Sequence, residues 1–585
     1  MLTDTANCVK EDAVGTSGKF ELSSELIGCL PIVQHFLARM GVAECLERHL
    51  PDNDARLRLA PAVVIGAVVR NIVVSHRPVY AIGEWAAPYV PGLLGLGAGD
   101  ALALNDDRVG RMLDRLFDAD RATLVTETVL SVIRNFAVDV SQLHNDSTTV
   151  TFTGSYTSAD GRARGGKATP AIRHGHNKDF RPDLKQLLFI LTVSADGAVP
   201  IAYRATDGNI SDDLTHIPTW DELARLVGRP DFLYVADSKL CSSEAMGHIA
   251  ARKGRFVTVV PHGRKEDTFF RDWAQTHAPA WQDAERRKGD RIGDPDRVWR
   301  TFQAPVPSTD GYRVIWVHSS DKAARDSATR SARIEVGLAA IDALQSRIES
   351  PKSRLKTRVA VEQATTAALA EARAARYVEF SVTESTEVSF LQERRGRPGE
   401  ATRYRKSEKR VFRVEAKVRA ENVAYDAVTD GCFPLITNDR EMTPAEVLAA
   451  YRYQPNLERR HHMLKGPQEV APVFVENPHR IEALLLCHFL AMLTEALIER
   501  EIRTSMKAEE IAGIPLYPEL RNCPAPSAPR ILEIFNMAQR HHLVSNGEVV
   551  QVFEPELTPL QQKVLELLHV PVSAYTCLLY TSRCV

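Results

Sequence analysis

Phe232-Leu233-Tyr234-Val235-Ala236-Asp237 is an apolar run closed by an acid, and it reads as a buried strand that delivers a carboxylate at its end. A second run, Leu187-Leu188-Phe189-Ile190-Leu191-Thr192-Val193, lies upstream. The turn Ala195-Asp196-Gly197-Ala198 and the apolar stretch 199–204 follow it, and Asp-Gly between apolar runs predicts a hairpin. Before these, a strand is expected over 136–143, ending beside His144-Asn145-Asp146-Ser147-Thr148-Thr149-Val150. Downstream, Ser211-Asp212-Asp213 precedes a helix reaching Leu226. Residues 242–252 predict another helix and 256–260 another strand.

The order β-β-β-α-β-α-β is that of a ribonuclease-H-like core, in which the first and fourth strands are neighbours. Asp146 and Asp237 would then stand side by side. The expected fold class is α/β, with this core interrupted by a mixed strand/helix insertion domain and preceded by a helical domain. The expected divisions are a disordered tail at 1–19, a helical DNA-binding domain at 20–135, the first part of the core at 136–262 and the insertion at 263–435. A helical second part of the core at 436–505, a mixed region at 506–575 and an unstructured or foreign tail at 576–585 complete the chain. In the insertion, Leu338, Ile341, Leu344 and Ile348 form an apolar stripe ended by Pro351, expected to pack a helix hairpin. Asn105 is the expected N-cap of a helix over 106–117.

The chain has 585 residues and a formal net charge of -2, so contacts with a polyanion must come from local patches. Nine scattered cysteines include no C-x-x-C pair, which argues against a zinc ribbon or a disulfide scaffold. The segment 1–19 lacks the apolar stretch of a signal peptide. The apolar segment 481–498 is interrupted by Glu482, His488 and Glu495, so a buried core helix is expected and no membrane partner. The expected location is the cytoplasm, associated with the nucleoid.

A third acid, Glu458, lies in Tyr451-Arg452-Tyr453-Gln454-Pro455-Asn456-Leu457-Glu458, with Lys465 seven positions on. Pro455 predicts a kink or a helix start, and a straight helix from there puts Glu458, His462 and Lys465 on one face. Two carboxylates at strand ends and a third on a helix suit two Mg²⁺ ions, with Mn²⁺ expected to substitute, and phosphoryl transfer on nucleic acid. Taken singly, each acid has an ordinary role, as a helix cap or a solvated side chain. Their order and their elements carry the reading.

Candidate DNA contacts surround these acids. Lys239 follows Asp237, and His176, Lys178, Arg181 and Lys185 lie between the first two strands. Residues 394–419 hold eleven Lys or Arg, among them Arg403, Arg405, Lys406, Lys409 and Arg410, against three Glu, which leaves +8. Such a run should bind DNA in a salt-dependent way.

Tyr451-x2-Gln454-x3-Glu458-x6-Lys465 resembles the Y-x2-R-x3-E-x6-K signature of the insertion sequence four superfamily of DDE transposases, with Gln454 in place of the arginine. The stretches 144–149, 175–186 and 236–239 are similar to the branch named for insertion sequence sixteen-thirty-four. The resemblance spans roughly residues 20–570. It implies that Asp146, Asp237 and Glu458 bind the metals and that Tyr451 and Lys465 contact DNA phosphate. Arg452 or Arg459 would compensate for the missing arginine. It further implies a strand-rich insertion over the active site, 3′ nicking of terminal inverted repeats, joining to target DNA and a homodimer in the synaptic complex. A metal-dependent nuclease with the same core and a catalytically inactive DNA-binding remnant are the alternatives.

Overall fold

The computed structural model describes residues 20–576, apart from 53, 55, 56, 290, 292, 469 and 471–474. The expected tail at 1–19 lies outside the described residues, as does the expected tail at 576–585 except for Thr576, which ends a short helix. The chain is mixed α/β and divides into two compact units. The first comprises residues 1–239, 247–255 and 453–585, and the second comprises 240–246 and 256–452.

The first unit opens with a strand, β1 (Phe20–Leu26), where helix was expected. Its partner is more than 500 residues away in sequence, so nothing local marks it. Helices α1 (Leu30–Met40), α2 (Val42–His49), α3 (Pro61–Val74), α4 (Ile82–Ala86), α5 (Asp106–Asp118) and α6 (Arg121–Asn135) follow. The Asn105 side chain caps α5 by accepting from the Arg108 amide at 2.9 Å.

Four strands come next: β2 (Gln142–Phe152), β3 (Lys185–Ser194), β4 (Pro200–Asp207) and, after helix α7 (His216–Val227), β5 (Leu233–Ala236). Their order is β4-β3-β2-β5. β2 runs antiparallel to β3 and parallel to β5. The strand expected over 136–143 is displaced. Phe136 caps the end of α6, Ala137 has φ 48°, and the strand starts at Gln142. The run Ser147-Thr148-Thr149-Val150-Thr151-Phe152, rich in β-branched residues, carries it onward. Asp146 therefore lies in the middle of β2 and not at a strand end.

Helix α8 (Ser243–Ala251) precedes the second unit's strands β6 (Arg255–Val259), β7 (Gln282–Arg287), β8 (Arg297–Gln303) and β9 (Arg313–Ser319), with helix α9 (Lys265–Trp273) after β6. Helices α10 (Ser320–Glu349) and α11 (Arg358–Glu371) and the long strands β10 (Val378–Gln392) and β11 (Tyr404–Val418) form one layered body. Ile341, Leu344 and Ile348 of the expected stripe pack there with Val361, Leu369, Val382 and Phe412. Helix α12 (Ala420–Ala427), strand β12 (Cys432–Thr437) and helix α13 (Pro444–Tyr451) complete this unit. β12 lies between β6 and β9, antiparallel to both. Phe270 stacks on Trp316 at 3.6 Å beneath this sheet.

The chain then returns to the first unit with α14 (Gln454–Lys465) and the 31-residue α15 (Pro478–Ala508). α15 is the one single helix among the described residues long and apolar enough to span a bilayer, and its apolar window is almost wholly buried in the protein, as a core helix requires. Helix α16 (Ala528–Glu533), the hairpin β13 (Gln539–Ser545) and β14 (Glu548–Phe553), α17 (Pro559–Leu567) and α18 (Ser573–Thr576) end the described chain. β13 pairs with β1.

Candidate active site

The parallel ladder between β2 and β5 pairs Asn145 with Ala236. Asp146 is the next residue of β2 and Asp237 the first residue after β5, so the ladder sets the two acids side by side, as the strand order anticipated. β5 is only four residues long and stops at Ala236, where the chain turns. Asp237 closes that turn by accepting from the Lys239 amide at 3.0 Å. Asp146 accepts from the Ser147 amide at 2.8 Å. Burial pushes the Asp146 carboxyl up to about 6; Lys178 opposes this, and the negative charges of Asp237 and Asp212 add to it.

Lys178 is the cation of this cluster. Its Nζ lies 3.6 Å from Asp146 and 3.1 Å from Asp212, and it donates to Ser147 O at 2.6 Å and Ser147 Oγ at 2.7 Å. A DNA contact was expected of Lys178, but its ammonium is turned inward to the carboxylates. Asp212 was read only as a residue preceding a helix. Its membership in the cluster comes from the fold of the β4–α7 connection, which no local motif marks.

Two buried histidines flank the acids. His461 Nδ1 lies 3.7 Å from Asp146 Oδ2, and His216 Nε2 lies 4.0 Å from Asp237 Oδ1. Burial, with the charges of Lys178 and Lys465, pushes the His461 ring down to about 3, so it is neutral at physiological pH. Burial also lowers His216, against the pull of Asp237, Asp212 and Asp213. The Nε2 atoms of both rings are buried with no hydrogen-bond partner. Sequence reading missed His461. It sits one helical turn after Glu458, and that spacing was the available signal.

Helix α14 brings in Glu458. α13 ends at Tyr451 and α14 begins at Gln454, with Pro455 in its first turn, as the proline demands. Leu457, Arg460, His461 and Leu464 are buried, and Glu458 and Arg459 are exposed. Two anchors hold α14. Gln454 Oε1 accepts from His144 Nδ1 at 3.0 Å, and Gln454 Nε2 donates to Asn145 O at 3.2 Å. Arg460 pairs with Glu499 at 2.9 Å, and it donates to Ala198 O and Gly197 O, each at 2.9 Å, in the β3–β4 turn. That turn needs the left-handed backbone of Gly197, φ 78°, where an added Cβ would meet Arg500 at 2.9 Å.

The remaining expected contacts divide. Lys239 and His176 are exposed. Lys465 pairs with Asp179 at 2.5 Å, and Arg181 pairs with Asp183 at 2.7 Å. Lys185 donates to Ser155 O. Tyr451 and Arg452 belong to the second unit. There Tyr451 lies 6.3 Å from the Phe433 ring, and Arg452 pairs with Glu285 and stacks over Trp299 at 3.7 Å. Arg403, Arg405, Lys406, Lys409 and Arg410 lie on or beside the far half of the β10–β11 ribbon. Across 378–419 the eleven basic residues meet seven Glu, because β10 and its turn add Glu379, Glu384, Glu387 and Glu393. The net charge is concentrated at the tip. Residues 386–410 carry eight basic and four acidic side chains, while the base of the ribbon balances. Phe390 and Tyr404 are exposed on the same face of that tip.

The donor set suits a hard divalent cation. Asp146, Asp212 and Asp237 offer carboxylate oxygens, and Lys178 is shared between the first two. Among the described residues, Asp146, Asp237 and Glu458 do not bring their ligand atoms within 4.8 Å of one another.

A family model described as a domain of unknown function (DUF4277) matches residues 22–130. No curated protein matches the chain significantly. Among solved structures, the chain is similar to a piggyBac transposase in a synaptic complex with hairpin DNA, with 11% identity, a TM-score of 0.25 and coverage of 50% of this chain and 60% of that one.

Proposed function

We propose that the chain is a DDE-type DNA transposase, of the insertion sequence four superfamily and the branch named sixteen-thirty-four, which cuts the ends of its own element and joins them to target DNA. The observation that carries this reading is the register of β2 on β5, which sets Asp146 beside Asp237, with the Glu458 helix docked on the same strand through Gln454. The order β4-β3-β2-β5, with a return at 453 after a long second unit, supports a ribonuclease-H-like core interrupted by an insertion.

Mg²⁺ held by Asp146, Asp237 and Glu458 would neutralise charge at the reacting phosphate and activate the attacking hydroxyl for in-line displacement. The chain's own residues prepare for it. Lys178 balances Asp146 and Asp212 in the absence of metal. Neutral His461 packs against Asp146 at 3.7 Å and adds no charge beside it. Exposed Lys239, and half-buried Lys465 once released from Asp179, hold DNA phosphate beside the acids. Gln454 serves the helix and not the DNA, so Arg459, exposed next to Glu458, takes the phosphate contact of the signature arginine. The basic tip at 386–410 binds duplex along its backbone. Pairing of two element ends requires two copies of the chain.

A second reading, a DNA-binding remnant without catalysis, is favoured by the burial of Gln454 and the open spacing of the acids. End cleavage and joining, assayed with Mg²⁺ on DNA carrying the inverted repeats that flank the gene, tests the choice against Asp237→Ala. Joining by the wild type alone supports the transposase. Cleavage without joining points to a nuclease, and salt-sensitive binding without either reaction points to the remnant.

A further inference from the structure

The matched segment 22–130 contains a second cluster of ligating side chains, built on other elements than the acids above. Cys45 and His49 are four residues apart on α2 and so share a face. Glu127 reaches them from α6. Cys45 Sγ lies 3.8 Å from Glu127 Oε2, and His49 Nε2 lies 3.3 Å from the same oxygen. The three ligand atoms fall within 4.8 Å of one another. Tetrahedral Zn²⁺ separates a thiolate sulfur from a carboxylate oxygen by about 3.5 Å, and an imidazole nitrogen from that oxygen by about 3.3 Å. Both contacts to Glu127 come close to these values, and Cys45 Sγ and His49 Nε2, within 4.8 Å of each other, would close to about 3.6 Å on the metal.

We propose that Cys45, His49 and Glu127 form a Zn²⁺ site that ties α2 to α6. One thiolate, one imidazole and one carboxylate suit zinc and do not suit Mg²⁺, which takes oxygen ligands alone. Thr128 Oγ1, 3.5 Å from Cys45 Sγ, orients the sulfur as an outer partner. A cavity of about 410 Å³ opens beside the cluster, lined in part by Gly41, Glu44, Cys45, Arg48 and Glu127, and gives a fourth position to water. Arg48 pairs with Glu127 at 2.8 Å, and its side chain is 64% exposed, so it can leave without a burial cost. Binding releases the Cys45 thiol proton to solvent, and the sulfur ligates as thiolate.

The test uses the full chain, purified with a reductant, stripped by a chelator and titrated with Zn²⁺ against a chromophoric competitor, and with Co²⁺ as a spectroscopic probe. The expected result is one Zn²⁺ per chain and a near-ultraviolet thiolate-to-Co²⁺ charge-transfer band. The band should vanish in Cys45→Ser, and Zn²⁺ affinity should fall at least about tenfold in His49→Gln. Asp146→Asn should keep both signals, which separates this site from the carboxylate one. If Cys45→Ser fails to fold, His49→Gln, altered at a less buried position, decides. A wild type without the band, a band that persists in Cys45→Ser, or unchanged affinity in His49→Gln would overturn the proposal.

Discussion

His144 Nδ1 donates to Gln454 Oε1 at 3.0 Å, two residues before Asp146 on the same strand and four residues before Glu458 on the facing helix. One amide thus fixes the helix that carries the third acid to the strand that carries the first. Gln454→Leu leaves the His144 N–H and the Asn145 carbonyl unpaired, and it should cost about 1–3 kcal/mol in chemical denaturation. Gln454→Arg should also destabilise, because it places a guanidinium in a buried pocket. A gain in activity from this restored signature residue would count against the account.

Asp146 makes stability depend on pH in a definite direction. Its folded carboxyl is raised to about 6 from an ordinary 3.8. The folded state therefore holds the proton more tightly, and the contribution is fully present below pH 3.8 and lost as pH rises through 6. Without metal, wild type should lose about 3 kcal/mol across that window relative to Asp146→Asn. At pH 7, Mg²⁺ should raise the unfolding midpoint of wild type and leave that of Asp146→Asn unchanged.

Glu495 offers an independent check deep in α15. It is wholly buried, Gln468 Nε2 donates to it at 2.6 Å, and burial with the neighbouring Glu499 pushes it up to about 8. Its contribution is present below pH 4.5 and lost as pH rises through 8. Glu495→Gln should flatten this part of the profile and make the protein more stable than wild type at pH 9.

Arg460 and Glu499 form a buried ion pair, and Arg460 also grips the β3–β4 turn. Removing one partner strands a buried charge. Arg460→Met and Glu499→Gln should each lower stability by about 3–5 kcal/mol. Thermal unfolding followed by circular dichroism would read it.

At the ribbon tip, Arg405→Ala and Lys409→Ala should each reduce the slope of log K against log salt for duplex binding by about 0.9 if each contacts one phosphate. Lys417→Ala, at the charge-balanced base, should leave the slope unchanged.

Strands, turns and helix starts were legible where apolar period and turn chemistry coincide. The runs ending in Asp237 and spanning 187–193 are buried strands, the Asp-Gly hairpin forms, and Pro455 opens α14. What stayed hidden depends on distant partners. β1 is a strand because β13 pairs with it, and Asp212 joins the acids because the β4–α7 connection folds back to Lys178. Lys178 itself looked like a DNA contact because sequence gives its charge and not its direction. The strand carrying Asp146 was placed too early, since the β-branched residues of the Ser-Thr-Thr-Val run extend it past that acid.

The most direct test of the central claim, that Asp146, Asp237 and Glu458 act as one metal site, is joining of element ends by Asp237→Cys in Mg²⁺ and in Mn²⁺. A thiolate at this position rejects Mg²⁺ and accepts the softer Mn²⁺. The account predicts no joining in Mg²⁺ and restored joining in Mn²⁺, with wild type active in both. Joining by Asp237→Cys in Mg²⁺ at the wild-type rate would contradict it.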